Sequence, residues 1–149
     1  MKTDIRINGQ LKSFNVKTDE TLLDTLRRHG YVGVKKGCDA STCCVCAVLL
    51  DDKPVLSCSL LTVRLEGRHV TTIEGIPETA SRLSALFGDE GADQCGFCNP
   101  SVAIVVHAMA REGIDDENGI RHYLGGHLCR CSGYQAQLLA IKKFLGVTS

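Results

Sequence analysis

The first half of the chain alternates apolar and polar residues in the way that is typical of β-strands. A polar residue separates Ile5 from Ile7, and residues 11–16 return to the same alternation. Between these two runs, Asn8-Gly9 is a pair that favours a two-residue hairpin turn. The pattern therefore predicts a β-hairpin at the start of the chain.

One helix and further short strands are predicted in the rest of this half. The helix lies between a capping residue, Asp19 or Thr21, and a terminating Gly30, because the leucines between them fall on one helical face. Short strands are predicted at residues 47–50, 55–57 and 70–73, with a turn at residues 51–54.

The apolar period becomes helical after the Gly75-Ile76-Pro77 interruption. Apolar residues then recur every three or four positions, which predicts four helices. We expect them near residues 81–87, 102–109, 117–124 and 134–145. The sequence thus predicts an α+β fold, with one domain of strands at residues 1–76 and one helical domain at residues 77–149.

Charge and hydropathy exclude some classes of partner. Lysine plus arginine equals aspartate plus glutamate at 17 each, so no long-range field attracts nucleic acid or an anionic membrane. No run of about 18 apolar residues could span a bilayer. We expect a cytoplasmic protein without nucleic-acid partners or membrane insertion.

Cysteine is the residue type that departs most from average composition. The chain has nine cysteines, an odd number and too few for a small disulfide scaffold. Clustered cysteines in an intracellular chain more often bind metal or carry out redox chemistry. Metal binding is therefore the leading hypothesis.

The first group of cysteines has a spacing that is typical of a plant-type 2Fe-2S site. Cys38, Cys43 and Cys46 form Cys-x4-Cys-x2-Cys, and eleven residues separate Cys46 from Cys58. A loop can wrap three thiolates around a small core while a neighbouring strand presents the fourth. Zinc is the main alternative, but structural zinc usually has closely spaced ligand pairs on both sides. Cys44 fits no ligand position and is interpreted as packing or as a replacement for a smaller residue, with a reactive thiol or a different ligand as the alternative.

The second group is ambiguous when its first pair is considered alone. Cys95 and Cys98 precede a predicted helix that Asn99 would cap, an arrangement that also occurs in redox dithiols. No strand precedes them, which weakens the dithiol hypothesis. Thirty residues separate Cys98 from Cys129. Cys129 and Cys131 precede the final helix, so two helix starts could meet at one anionic metal centre.

No group outside the cysteines indicates substrate chemistry. The five histidines form no zinc-like or triad-like pair, and no phosphate loop or paired carboxylate occurs in a recognisable catalytic motif. We expect no catalytic site on this chain alone.

Taken in order, the motifs resemble the iron-sulfur subunit of the molybdenum hydroxylases, the family of xanthine dehydrogenase, aldehyde oxidoreductase and carbon monoxide dehydrogenase. The resemblance rests on both cysteine groups, on Gln94 before Cys95-Gly96-Phe97-Cys98, and on residues 128–134, Leu-Cys-Arg-Cys-Ser-Gly-Tyr. It implies a plant-ferredoxin-like β-grasp domain followed by a four-helix domain. It also implies a molybdopterin-binding large subunit and an FAD-binding medium subunit as partners.

The resemblance assigns the cysteines to two 2Fe-2S clusters. It places Gln94 and Cys131 near the molybdopterin, and electrons would pass from molybdenum through the helical-domain cluster and the ferredoxin-like cluster to FAD or another acceptor. The ferredoxin-like cluster would take Cys38, Cys43, Cys46 and Cys58, and the helical-domain cluster Cys95, Cys98, Cys129 and Cys131.

Two departures and two alternative functions accompany this assignment. The family usually has glycine at the position of Cys44, whose side chain would be strained at positive φ, and Thr-Pro-Gly in place of Asn99-Pro100-Ser101. The alternative functions are a free-standing ferredoxin-type electron carrier and a zinc-dependent structural adaptor.

Overall fold

The computed structural model describes residues 1–147, which form an α+β fold. Strands and one helix come first in the chain, and four longer helices follow. The elements of the first part are β1 (Lys2–Ile7), β2 (Gln10–Asn15), α1 (Leu22–Arg28), β3 (Ala47–Leu50), β4 (Lys53–Leu56) and β5 (His69–Thr71). The predicted fold class is confirmed.

The five strands form one mixed sheet in the order β2-β1-β5-β3-β4, in which β1 and β5 are parallel and the other neighbours are antiparallel. Helix α1 packs its leucines against one face, with Ile5, Ile7 and Val48 in the same core. A helix that covers a mixed sheet in this way gives the expected β-grasp arrangement.

Both hairpins turn on residue pairs with positive φ. Asn8 (51°) and Gly9 (82°) join β1 to β2, as predicted, and Asp51 (47°) and Asp52 (69°) join β3 to β4. The predicted four-residue turn at 51–54 is wrong, because Pro54 lies within β4. Strand β4 is at the edge of the sheet, where a missing backbone N–H is tolerated.

The helices of the second part are α2 (Pro77–Asp89), α3 (Asn99–Glu112), α4 (Glu117–Leu124) and α5 (Gln135–Leu145). Helix α2 begins four residues before the predicted 81, because Pro77 occupies the first turn, where its fixed φ and missing N–H suit a helix. The helices share a core that includes Leu83, Phe87, Met109 and Ile141.

Strand β3 joins the two parts, since it is buried on both faces. Val48 faces the core beneath α1, whereas Leu49 packs with Ile104 and Ala108 of α3. Arg111, near the end of α3, also donates to both oxygens of Asp52 at 2.6 and 3.0 Å. The start of α3 is thereby fixed beside the loop that precedes β3.

Among the described residues, no helix combines the length and the apolar character needed to cross a membrane.

Candidate metal centres

The first cysteine site, which we define as Cys38, Cys43, Cys46 and Cys58, lies where the loop before β3 meets the end of the β3–β4 hairpin. Antiparallel pairing places Ala47 opposite Leu56, and Ser57 then donates its N–H and its Oγ to the carbonyl of Cys46, at 3.3 and 2.7 Å. The hairpin register therefore brings Cys58 to the side of Cys46.

The four thiols of this site meet two by two. The thiol of Cys38 lies beside that of Cys43, and the thiol of Cys46 lies beside that of Cys58. The neighbouring Cys43 thiol, followed by N–H groups of Cys43, Thr42 and Ala40, lowers the pKa of Cys38 to about 6. The loop thus aims backbone donors at a sulfur, which stabilises the thiolate.

The same loop is tightly closed. Ser41 (55°) and Cys44 (58°) both have positive φ, and a Cβ on Gly37 would lie 2.7 Å from Cγ2 of Val45. These left-handed turns curl the chain so that successive N–H groups face inward, which a regular strand could not do.

The second cysteine site, which we define as Cys95, Cys98, Cys129 and Cys131, lies between the starts of α3 and α5. Its thiols also meet two by two, Cys98 with Cys129 and Cys95 with Cys131. The predicted cap is wrong by one residue: Cys98 is the N-cap of α3, and Asn99 instead donates its side-chain amide to Asp93 at 2.9 Å.

In the second site, a side chain also donates a hydrogen bond to a cysteine sulfur. Ser132 donates its N–H and its Oγ to Sγ of Cys129 at 3.4 and 3.1 Å. Burial opposes ionisation of Cys129, but the bonds from Ser132 outweigh it and lower the pKa of this thiol. The hydroxyl of Tyr134, a residue with a φ of 68°, accepts the N–H of Cys129 at 2.9 Å.

Three of the eight cysteines are buried: Cys43 and Cys46 in the first site and Cys98 in the second. Burial raises the pKa of Cys46 and of Cys98 to about 11. Such thiols ionise readily only when a cation compensates the charge. All nine cysteines are free, and no three metal-ligating side chains within residues 1–147 converge on a point for one ion. Two separate pairs per site suit a binuclear core of two irons better than a single zinc ion.

The two sites are neighbours in space. Cys43 and Val45 pack with Cys98 in one small apolar group, against which Cys38 and Cys129 also lie. The N–H of Leu128 donates to the carbonyl of Cys43 at 3.1 Å. An open depression of about 360 Å³ is lined by all four cysteines of the second site and by Cys43 of the first.

Cys44 lies outside all four pairs. Its Sγ faces the second half of the chain, since a Cβ added to Gly126 would lie 2.9 Å from it. Desolvation raises the pKa of this thiol. The positive φ expected at this position is confirmed, and the side chain fills space between the two halves.

The remaining predicted site residues lie at the rim of the second site. Gln94 is exposed, and its side-chain amide donates to the carbonyl of Gly91 at 3.3 Å. Cys131 is exposed as well, whereas its neighbour Cys129 is half-buried. Gln94 and Cys131 are thus both accessible at the surface.

Two polar residues near the second site were not predicted from the sequence. Gln137 is buried and donates its side-chain amide to Sγ of Cys98 at 3.5 Å. His127 is buried with no hydrogen bond to either ring nitrogen, and desolvation lowers its pKa to about 4. Their only sequence signal is a polar residue beside apolar ones, which does not distinguish them from surface positions.

Comparison with known proteins gives a consistent result along the chain. Residues 5–72 match the model of the 2Fe-2S iron-sulfur cluster binding domain, and residues 72–142 match that of the [2Fe-2S] binding domain. The chain is 34% identical to the aldehyde oxidoreductase iron-sulfur-binding subunit PaoA of Escherichia coli, over 98% of this chain and 72% of that protein. It is 36% identical to the xanthine dehydrogenase iron-sulfur-binding subunit of Escherichia coli O157:H7, over 87% and 84%.

Two solved structures are similar to this chain along nearly its whole length. Quinoline 2-oxidoreductase from Pseudomonas putida 86 superposes with a TM-score of 0.87 at 32% identity, covering 97% of this chain and 92% of that chain. The aldehyde oxidoreductase from Desulfovibrio desulfuricans has the same TM-score of 0.87 at 30% identity, but this chain covers only 17% of that longer polypeptide.

Proposed function

The chain belongs to the iron-sulfur subunits of the molybdenum hydroxylases, and we propose that its eight paired cysteines hold the two 2Fe-2S clusters through which such an enzyme carries electrons. The observation that carries this ligand assignment is the pairing itself. Each site presents two pairs of thiols, and each iron of a 2Fe-2S core takes two thiolates. Cys44 is the one cysteine outside the pairs.

Each 2Fe-2S cluster supplies a centre that accepts and releases one electron. The residues of this chain set the conditions for that exchange. Loop N–H groups around Cys38 and the Ser132 donors at Cys129 stabilise thiolate charge. Burial of Cys46 and Cys98 limits contact with water.

The contact between the two sites gives electrons a short route. The hydrogen bond from Leu128 to Cys43 joins a residue of the first site to the neighbour of Cys129 in the second. Val45 is buried beside it and packs against Cys43 and Cys98. We therefore infer that electrons pass between the two sites at this junction.

The rim of the second site is suited to a large partner. Phe97 (46% exposed) and Leu128 (55% exposed) are apolar side chains that line the depression beside Cys95 and Cys131. We propose that this face, with Gln94 and Cys131, contacts the molybdopterin-binding large subunit. An FAD-binding medium subunit would take electrons from the side of Cys38 and Cys58, which line a more polar depression.

These apolar rim residues also discriminate against a free-standing carrier, which would need a polar surface at its exchange site. PaoA and the xanthine dehydrogenase relative are named as subunits. We further propose that residues 1–76 and 77–149 are the two cluster-binding domains, and that the protein acts in the cytoplasm, where nine free cysteines remain reduced.

The test uses the assembled enzyme. Cys98→Ser should remove the second cluster and stop turnover with an artificial acceptor that draws electrons from the flavin, while substrate still bleaches the molybdenum centre. Cys44→Ser, outside the pairs, is the matched control and should retain turnover. Full turnover in Cys98→Ser after verified loss of the second cluster would contradict the route.

A further inference from the structure

A buried amide reaches the second cysteine site from the helix that follows it. Gln137 lies in the first turn of α5 and is only 1% exposed. Its Nε2 donates to Sγ of Cys98 at 3.5 Å, across 39 positions of sequence. The contact exists because the start of α5 packs beside the start of α3.

Gln137 is the one polar residue among the buried residues of α5. The other buried residues of α5 are apolar: Leu138, Ala140, Ile141 and Phe144. Burying an amide is unfavourable unless its N–H groups find acceptors. A leucine or methionine would fill the same volume without that cost, so the amide is explained by the sulfur that it contacts.

We propose that Gln137 is a positioning residue that orients Cys98 and raises the reduction potential of the second cluster through its N–H···S hydrogen bond. The proposal rests on the proposed function, because it takes Cys98 as a ligand. Reduction adds one electron, and no bond forms or breaks. The added negative charge strengthens a bond that donates to a ligand sulfur, so the donor favours the reduced state.

A side-chain amide reaches a sulfur only in the second site, among the described residues. In the first site, Cys38 and Cys43 receive N–H groups of the backbone, and Cys58 shares hydrogen bonds with the hydroxyls of Ser41 and Ser59 at 3.4 and 3.7 Å.

The test is a redox titration of the assembled protein, followed by the paramagnetic signals of the two reduced clusters. Gln137→Leu and Gln137→Met should each lower the equilibrium constant for reduction of the second cluster about tenfold, which is about 59 mV for one electron. The first cluster should not shift. Gln135→Leu, an exposed glutamine of the same helical turn, is the matched control and should leave both potentials unchanged. An unchanged potential in a Gln137 variant with both clusters loaded overturns the proposal.

Two further measurements separate the possible failures. If Cys98→Ser keeps both clusters, the proposed ligand set is wrong; if it loses the second cluster while the Gln137 variants keep its potential, only the role of Gln137 is wrong. If the Gln137 variants fail to load iron, the test is made on a protein that keeps Gln137 and carries ¹⁵N in its glutamine side chains. Gln94→Leu is introduced in that protein, because the amide of Gln94 lies at the rim of the same site. A ¹⁵N coupling to the reduced second cluster is expected, and its absence overturns the proposal.

Discussion

The two cysteine sites reach the same pairing of thiols by different means. The first is local: one loop and one hairpin supply Cys38, Cys43, Cys46 and Cys58, and loop N–H groups surround the sulfurs. The second joins two segments that α3 and α4 separate in sequence, and one of its donors, the amide of Gln137, comes from a residue 39 positions away from the cysteine that it contacts. Short-range sequence therefore builds the first site, whereas the second depends on helix packing.

The largest expected effect is the loss of one cluster at a time. Cys46→Ser should remove the first cluster and Cys129→Ser the second, and each should lower iron from about four atoms per chain to about two. Iron and acid-labile sulfide analysis with paramagnetic spectra of the reduced protein measures this. Loss of both signals in each variant, with the chain still folded, would show that the sites are not independent.

The next largest effect is expected on the free energy of unfolding, from a substitution in the packing between the two halves of the chain. Leu49 is 1% exposed against Ile104 and Ala108, so Leu49→Ala should lower the free energy of unfolding by about 2–5 kcal/mol through the cavity it leaves. Leu11→Ala, at an exposed strand position, should cost far less. Urea unfolding checks both, and equal costs would mean that the β3–α3 contact does not hold the halves together.

A smaller effect is expected where Cys44 meets Gly126. Gly126→Ala should cost about 1 kcal/mol, because its Cβ would lie 2.9 Å from Sγ of Cys44. Cys44→Gly should keep both clusters and remove most of that cost in the double variant. Unfolding of the four proteins gives the coupling energy. Loss of iron in Cys44→Gly would instead identify Cys44 as a ligand.

The smallest effect concerns acid sensitivity of the helical half. Lys142 of α5, at 3.0 Å, and Arg121 lower the pKa of Glu117 at the start of α4. A lowered pKa adds stability above the unfolded value of 4.5 and loses it as pH falls through the lower folded value. Glu117→Gln should reduce the thermal midpoint by about 1–3 °C at pH 7 and hardly at all near pH 3. A deficit that is equal at both pH values would exclude the carboxylate charge as its cause.

Much of the fold follows from local patterns. Asn8-Gly9 determined the first hairpin, and apolar residues at helical spacing placed α3, α4 and α5 within a few residues. The errors are also local in origin. Pro54 was predicted in a turn because the sequence does not show which strand lies at the edge of the sheet. Pro77 was interpreted as an interruption, although it is the first residue of α2.

The cysteine spacing by itself determined which residues are candidates for the two metal centres, because ligands of the first site must lie close along the chain to surround a small core. Tertiary structure alone decided how the thiols pair, which of them are exposed, and that Leu128 bonds to Cys43. It also decided that Gln137 reaches Cys98. Contacts across 39 or more residues depend on how helices pack, and packing follows from the whole set of buried side chains rather than from any short motif.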